Sequence, residues 1–232
     1  MDGITPNHCG LSRINIMESV YASLERLESD HIDLLYFHSY DPLTPREESL
    51  LAIEDLIKQD LIRYFSVSNF TTEQLKSYQS LENRLSPRSR ILAVQNRFDI
   101  LNGEEEDFKG TLKYAQDMGI SFIAWSPMAR GLLTDKYLDP NAGKPGDRLF
   151  DEGGIKEKIT KETLQKLQNL SEIARELNVE LSQLVIAYML TIPGMGPVIP
   201  SSSNLKQLES NAAAAQIILS NEHRQRVLSA IQ

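Results

Sequence analysis

Short apolar runs and helix-spaced stretches take turns along this chain, and that alternation constrains the fold more than any single motif. Runs at Ile32–Phe37, Ile62–Val67, Ile91–Asn96, Ser121–Trp125 and Pro197–Ile199 read as strands. Between them, apolar residues recur at helical spacing. Ser12 opens a helix to about Ser29, with Ile16, Met17, Val20, Leu24 and Leu27 on one face. Thr44, Pro45 and Glu47 spell a capping box with proline at the first helical position, for a helix ending near Lys58. Thr71 and Gln74 cap the next in the same way, before a polar loop containing Pro87. The acidic run Glu104–Asp107 suits the positive end of a fourth helix, which Gly119 closes. An irregular segment from Met128 to about Gly154, with Pro140 inside it, is long enough to be functional or disordered. Helices at Lys158–Leu177 and Leu181–Thr191 follow. Asn204 caps a helix to Ala215, and a terminal helix covers Asn221–Ala230.

Regular βα order means parallel strands joined by right-handed crossovers. We therefore expect an α/β fold of the (β/α)8 TIM-barrel type. It forms a single domain over residues 1–232, N-terminally truncated to about five parallel strands and lacking the first three.

Ile32–Phe37 has no polar alternation, which suits a strand buried on both faces. It runs into His38, Ser39, Tyr40 and Asp41 before Pro42 ends the sheet pairing. An imidazole at the carboxyl end of a parallel strand stands where α/β folds collect their chemistry. By itself it is as readily a hydrogen-bonded structural residue.

A net charge of −8 and a pI near 5.1 argue against nucleic acid or an anionic membrane as partner. One cysteine, Cys9, excludes an internal disulfide and fits a reducing compartment. No apolar run of about 18 residues is present, so no membrane span is expected, and MDGITPNHCG has no signal-peptide character. The expected location is cytoplasmic. His8 and Cys9 have no companions at metal spacing.

The stretch GLSRINIMESVYASLERLESDHIDLLYFHSYDP resembles the helix and strand that lead to the catalytic histidine of the aldo-keto reductase family, a group of nicotinamide-dependent barrels. IRYFSVSNF, AVQNRF, AWSPMARGLLTDKY and VIPSSSNLKQLESN continue the likeness in the family's order. The branch most similar carries a WSP-type strand end, shared by bacterial reductases and potassium-channel β subunits. The likeness covers the later five of the family's eight βα units.

It implies an NADP(H)-dependent oxidoreductase that reduces an aldehyde or ketone, a small carbonyl substrate, by hydride transfer; NAD is the alternative cofactor. Family members combine Asp, Tyr, Lys and His, with Tyr as general acid and His orienting the carbonyl. His38 matches the histidine. The other three belong to strands that would precede Gly10, and no lysine occurs before Lys58. Ser68 and Asn69 match the pair that holds the nicotinamide carboxamide, and Gln95 a further contact to it. Trp125 matches the aromatic stacked on the nicotinamide, although a single tryptophan equally suits a core. Ser126, Pro127, Met128 and Arg130 match the start of the pyrophosphate segment. Lys136 and Arg148 match basic phosphate contacts, and Ser201, Ser203, Gln207 and Asn211 the adenosine end.

Three positions depart from the pattern. Ser201 stands where Gly or Lys is common, Ser210 where an acid usually meets the adenine amino group, and Asp135 where Gly is usual. A catalytically inactive nicotinamide-binding or regulatory module, or a truncated remnant, is the alternative function. Five strands leave Ile32–Phe37 and Pro197–Ile199 with unpaired edges, through which self-association is expected.

Overall fold

The structure, a computed structural model, describes residues 9–85, 89–139, 141–153 and 158–232. His8, Pro87, Pro140 and Gly154 lie outside the described residues. The chain divides into two compact units, one formed by the chain up to Asn96 with Glu106–Ile123, the other by Arg97–Glu105 with Ala124–Gln232.

In the first unit, α1 (Arg13–Leu27), β1 (Ile32–Phe37), α2 (Arg46–Lys58), β2 (Ile62–Ser68) and α3 (Thr72–Leu85) lead into β3 (Ile91–Asp99). After α4 (Thr111–Met118) the unit ends within a later strand, Ser121–Trp125. β1 and β2 are parallel from Ile32↔Ile62 to Phe37↔Val67. β2 and β3 are also parallel, with an irregularity between Phe65 and Val67 that brings Ser68 opposite Gln95. In the second unit the short β4 (Gly103–Glu104) folds back antiparallel on the end of β3. With Ser121–Trp125 as β5, the rest of the unit holds α5 (Arg148–Asp151), α6 (Lys161–Glu176), α7 (Leu181–Met189), β6 (Met195–Ile199), α8 (Leu205–Ala213) and α9 (Asn221–Ile231).

Each unit buries its own apolar set. Leu50, Ile53 and Leu56 of α2 pack with Phe65, Val67, Leu75 and Tyr78 in the first, all at most 1 % exposed. Phe37 meets Phe65 edge to face at 4.6 Å, a favoured aromatic geometry. In the second, Leu167 and Leu170 of α6 and Leu181, Leu184 and Val185 of α7 are fully buried.

Three of the side-chain caps that the sequence predicts are formed. Ser12 accepts from the Asn15 amide, Thr71 and Gln74 bond each other's amides, and Asn204 accepts from the Gln207 amide. Gly119 ends α4 in the left-handed region at φ 69°.

Four expectations are corrected. Thr44 does not cap α2: its hydroxyl donates to Asp41 at 2.7 Å, and Pro45 occupies the cap without a side-chain bond. The run Glu104–Asp107 does not open α4, because Glu104 ends β4, Glu106–Phe108 forms a separate 3-10 turn and Gly110 is the cap. β1 is not buried on both faces. Only Phe37 is buried and Asp33 is exposed, since β1 ends the strand order and pairs with β2 alone among the described residues. The irregular segment carries short helical turns at Ala129–Gly131, Asp135–Leu138 and Arg148–Asp151. No helix among the described residues is long and apolar enough to cross a membrane.

Candidate functional site

Parallel strands end side by side, so residues just past β1 and β2 and late in β3 share one edge of the first unit. There the side-chain amide of Asn69 donates to the His38 carbonyl at 2.8 Å and to the Ser68 hydroxyl at 3.2 Å. Ser68 in turn donates to the Gln95 carbonyl at 2.8 Å, and the Asn69 backbone amide donates to the same carbonyl at 3.0 Å. Asn69 takes φ 57°, a conformation that asparagine tolerates better than most residues. His38, Ser68, Asn69 and Gln95 are thus brought together. The His38 side chain is exposed while Ser68 is buried. Tyr36, two residues before His38 on the same strand, faces Ser66 and Gln95, and burial pushes its hydroxyl above the usual tyrosine value.

In the second unit Trp125 ends β5, and the Arg97 guanidinium lies 6.0 Å from its ring centre, within cation–π range. Ser126 at φ 58°, Ala129 at 47° and Arg130 at 64° turn the chain sharply after the indole. Met128 closes the turn by accepting from Gly131 at 2.8 Å. Pro127 is buried beneath it. Every expected phosphate-binding cation of this segment has a carboxylate partner. Arg130 and Arg148 converge on Glu152, and Lys136 contacts Asp147. The hydrogen bond from Arg148, with the charge of Arg130, holds the Glu152 carboxyl below its usual range; Lys136 does the same for Asp147.

Around α8, Ser203 donates through backbone and hydroxyl to Gln207 at 2.8 and 2.9 Å, and Asn211 donates to Ser202 at 3.0 Å. Ser201, Ser203 and Gln207 are exposed. The departures have structural partners. The Ser210 hydroxyl donates to Glu180 at 2.7 Å, and Asp135 accepts from the Leu181 amide at 3.1 Å, at the start of α7.

Sequence reasoning missed Glu180, Asp147, Glu152 and Arg97. Of these only Arg148–Glu152 carried a local signal, the i,i+4 spacing of an ion pair. The others are joined by tertiary packing across long separations.

A profile of the Aldo/keto reductase family matches residues 1–232. The chain is 32 % identical over 220 residues to a probable voltage-gated potassium channel subunit beta of Oryza sativa subsp. japonica, covering 93 % of this chain and 66 % of that one. It is 31 % identical over 222 residues to the aldo-keto reductase AMT2 of Alternaria alternata, covering 95 % and 58 %. The crystal structure of a thermostable aldo-keto reductase, Tm1743, with the inhibitor epalrestat superposes with a TM-score of 0.72 at 27 % identity, over 95 % of this chain and 67 % of that one. That likeness gives the fold as α/β of the TIM-barrel type. The chain spans no more than about two thirds of the length of the two curated relatives.

Proposed function

The chain belongs to the aldo/keto reductase family, and on that premise we propose that it serves as the nicotinamide-holding part of an NADP(H)-dependent reductase of aldehydes or ketones. The observation that carries the reading is the strand-end cluster, in which Asn69 ties His38 to Ser68 and Ser68 pairs in register with Gln95.

The donor chemistry fits a dinucleotide. Amides at Asn69 and Gln95 suit a carboxamide, the Trp125 indole suits a flat ring, and three cations suit phosphates. A bound reduced nicotinamide supplies the hydride. In this reading His38 orients the substrate carbonyl. Ser126, Pro127, Met128 and Arg130 wrap the pyrophosphate with Lys136 and Arg148, and Asp147 and Glu152 must release these cations as phosphate enters. Ser201, Ser203, Gln207 and Asn211 meet the adenosine, and Glu180 brings to Ser210 the carboxylate that the family carries in sequence. NADP is favoured on the family likeness alone, with NAD as the alternative. A cytoplasmic location belongs to the same proposal.

A second reading, a nicotinamide-binding module without turnover, is favoured by Tyr36. The tyrosine nearest His38 on its strand has its hydroxyl pushed up by burial, the wrong direction for a proton donor. Titration of the purified chain with NADPH tests the first step shared by both readings. Fluorescence of the single tryptophan, Trp125, should be quenched to saturation, and Trp125→Ala should bind more weakly by calorimetry. An unchanged spectrum and no heat at millimolar NADPH would overturn both.

A further inference from the structure

A cavity of about 510 Å³ opens in the second unit between the β3–β4 turn, the Ala129–Leu132 turn and the start of α6. Arg97, Lys158 and Lys166 line it, as do three acids, Asp99, Glu105 and Glu162. Each acid is already engaged. Glu105 pairs with Arg97 at 2.5 Å and Glu162 with Lys166 at 2.9 Å. Asp99, only 1 % exposed, accepts from the backbone amides of Leu101 and Asn102 and from the Asn102 side chain. Lys158 remains without an ion pair or hydrogen bond among the described residues.

Charges of both signs surround Lys158. Partial burial together with the charges of Arg130 and Arg97 lowers its pKa from the usual lysine value, with Glu152 and Asp99 opposing. The cavity also meets the positive end of the 16-residue α6, through its cap Thr160 and through Thr163. A lysine ammonium without a carboxylate partner, lining a cavity at the positive end of a helix, gains from an anion there.

We propose that this cavity binds a small molecule through an oxyanion, carboxylate or phosphate, with Lys158 as its anchor. The oxyanion belongs either to the tail of a carbonyl substrate, a case that rests on the reductase reading, or to a free phosphate, which does not.

Calorimetry on the full chain decides it, with succinic semialdehyde, the neutral butanal and inorganic phosphate as probes. If the substrate tail is the source, the semialdehyde binds at least about tenfold more tightly than butanal, and added salt erodes the difference. If free phosphate is the source, phosphate binds and the two aldehydes do not differ. In both cases Lys158→Gln abolishes the anion's advantage, Lys158→Arg restores it, and NADPH affinity is unchanged. Equal binding of every probe to wild type and Lys158→Gln, or no anion binding at all, overturns the proposal. So does a loss of NADPH affinity in Lys158→Gln as large as the loss for phosphate, because the cavity would then belong to the cofactor site. Failure of NADPH to bind the wild-type chain, with phosphate binding intact, sinks the reductase reading alone.

Discussion

The Asn69 side chain reaches back 2.8 Å to the main-chain carbonyl of His38, so a left-handed asparagine after β2 fastens the end of the neighbouring strand β1. Two properties of Asn69 meet there, its amide and its tolerance of φ 57°. Asn69→Gly keeps the backbone and loses the amide, and should cost about 1 kcal/mol. Asn69→Ala also loses the amide and leaves a residue that tolerates the left-handed region less well than asparagine or glycine, so it should cost roughly 2 kcal/mol. Urea unfolding of both variants checks the ordering. Equal losses would mean that the backbone is not strained.

Glu82, 4 % exposed on α3, accepts from the Ile91 amide at 3.0 Å. Burial pushes its carboxyl from 4.5 up to about 7, against that hydrogen bond and the charge of Arg90. The folded chain therefore favours the protonated form. Its stabilising share is complete below the unfolded value, falls as pH rises toward 7, and is gone above it. Glu82→Gln retains an acceptor for Ile91 and removes the titration. Its advantage over wild type should grow between pH 5 and 7, to at most on the order of 3 kcal/mol. Denaturation midpoints across that range test this, and a constant difference would refute it.

Tyr78 is fully buried, its ring edge-on to Phe70 at 5.4 Å, and its hydroxyl has no hydrogen-bond partner among the described residues. The Ser49 hydroxyl facing it already donates to the Leu11 carbonyl. Burial pushes the Tyr78 hydroxyl up to about 12. Tyr78→Phe keeps the packing and removes a desolvated polar group, so it should be neutral or stabilising by up to about 1 kcal/mol. A loss of more than that in thermal or urea unfolding would reveal a partner for the hydroxyl.

Asp135, on an exposed turn, holds the first amide of α7 from 46 residues away. Asp135→Ala should cost about 1 kcal/mol, the usual penalty for a lost helix cap, and Asp135→Asn less, because it still offers an acceptor. Matching losses in the two variants would point to the charge rather than the hydrogen bond.

β1 pairs on one side only among the described residues, and Leu34, Leu35 and Tyr36 are half-exposed along it. Such an edge invites pairing with another chain. Light scattering should give a mass above the 26.2 kDa of one chain, and Leu35→Lys should lower it. A wild-type monomer would end this expectation.

The βα rhythm and the caps at Ser12, Thr71 and Asn204 were legible in the sequence because each is local. Apolar period sets the element, and a side chain three residues from an open amide reaches it as soon as the helix forms. The meeting of His38, Ser68, Asn69 and Gln95 in the first unit was legible for a related reason, since parallel strands deliver their last residues to one edge. Packing decided the rest. Thr44 could cap α2 or meet Asp41, and only the path of the β1–α2 turn chose Asp41. Asp135 with Leu181, Ser210 with Glu180 and Arg130 with Glu152 lie 46, 30 and 22 residues apart. No periodicity spans such distances, and a hydrogen bond requires its two atoms within about 3 Å, a condition met only once the intervening helices have packed.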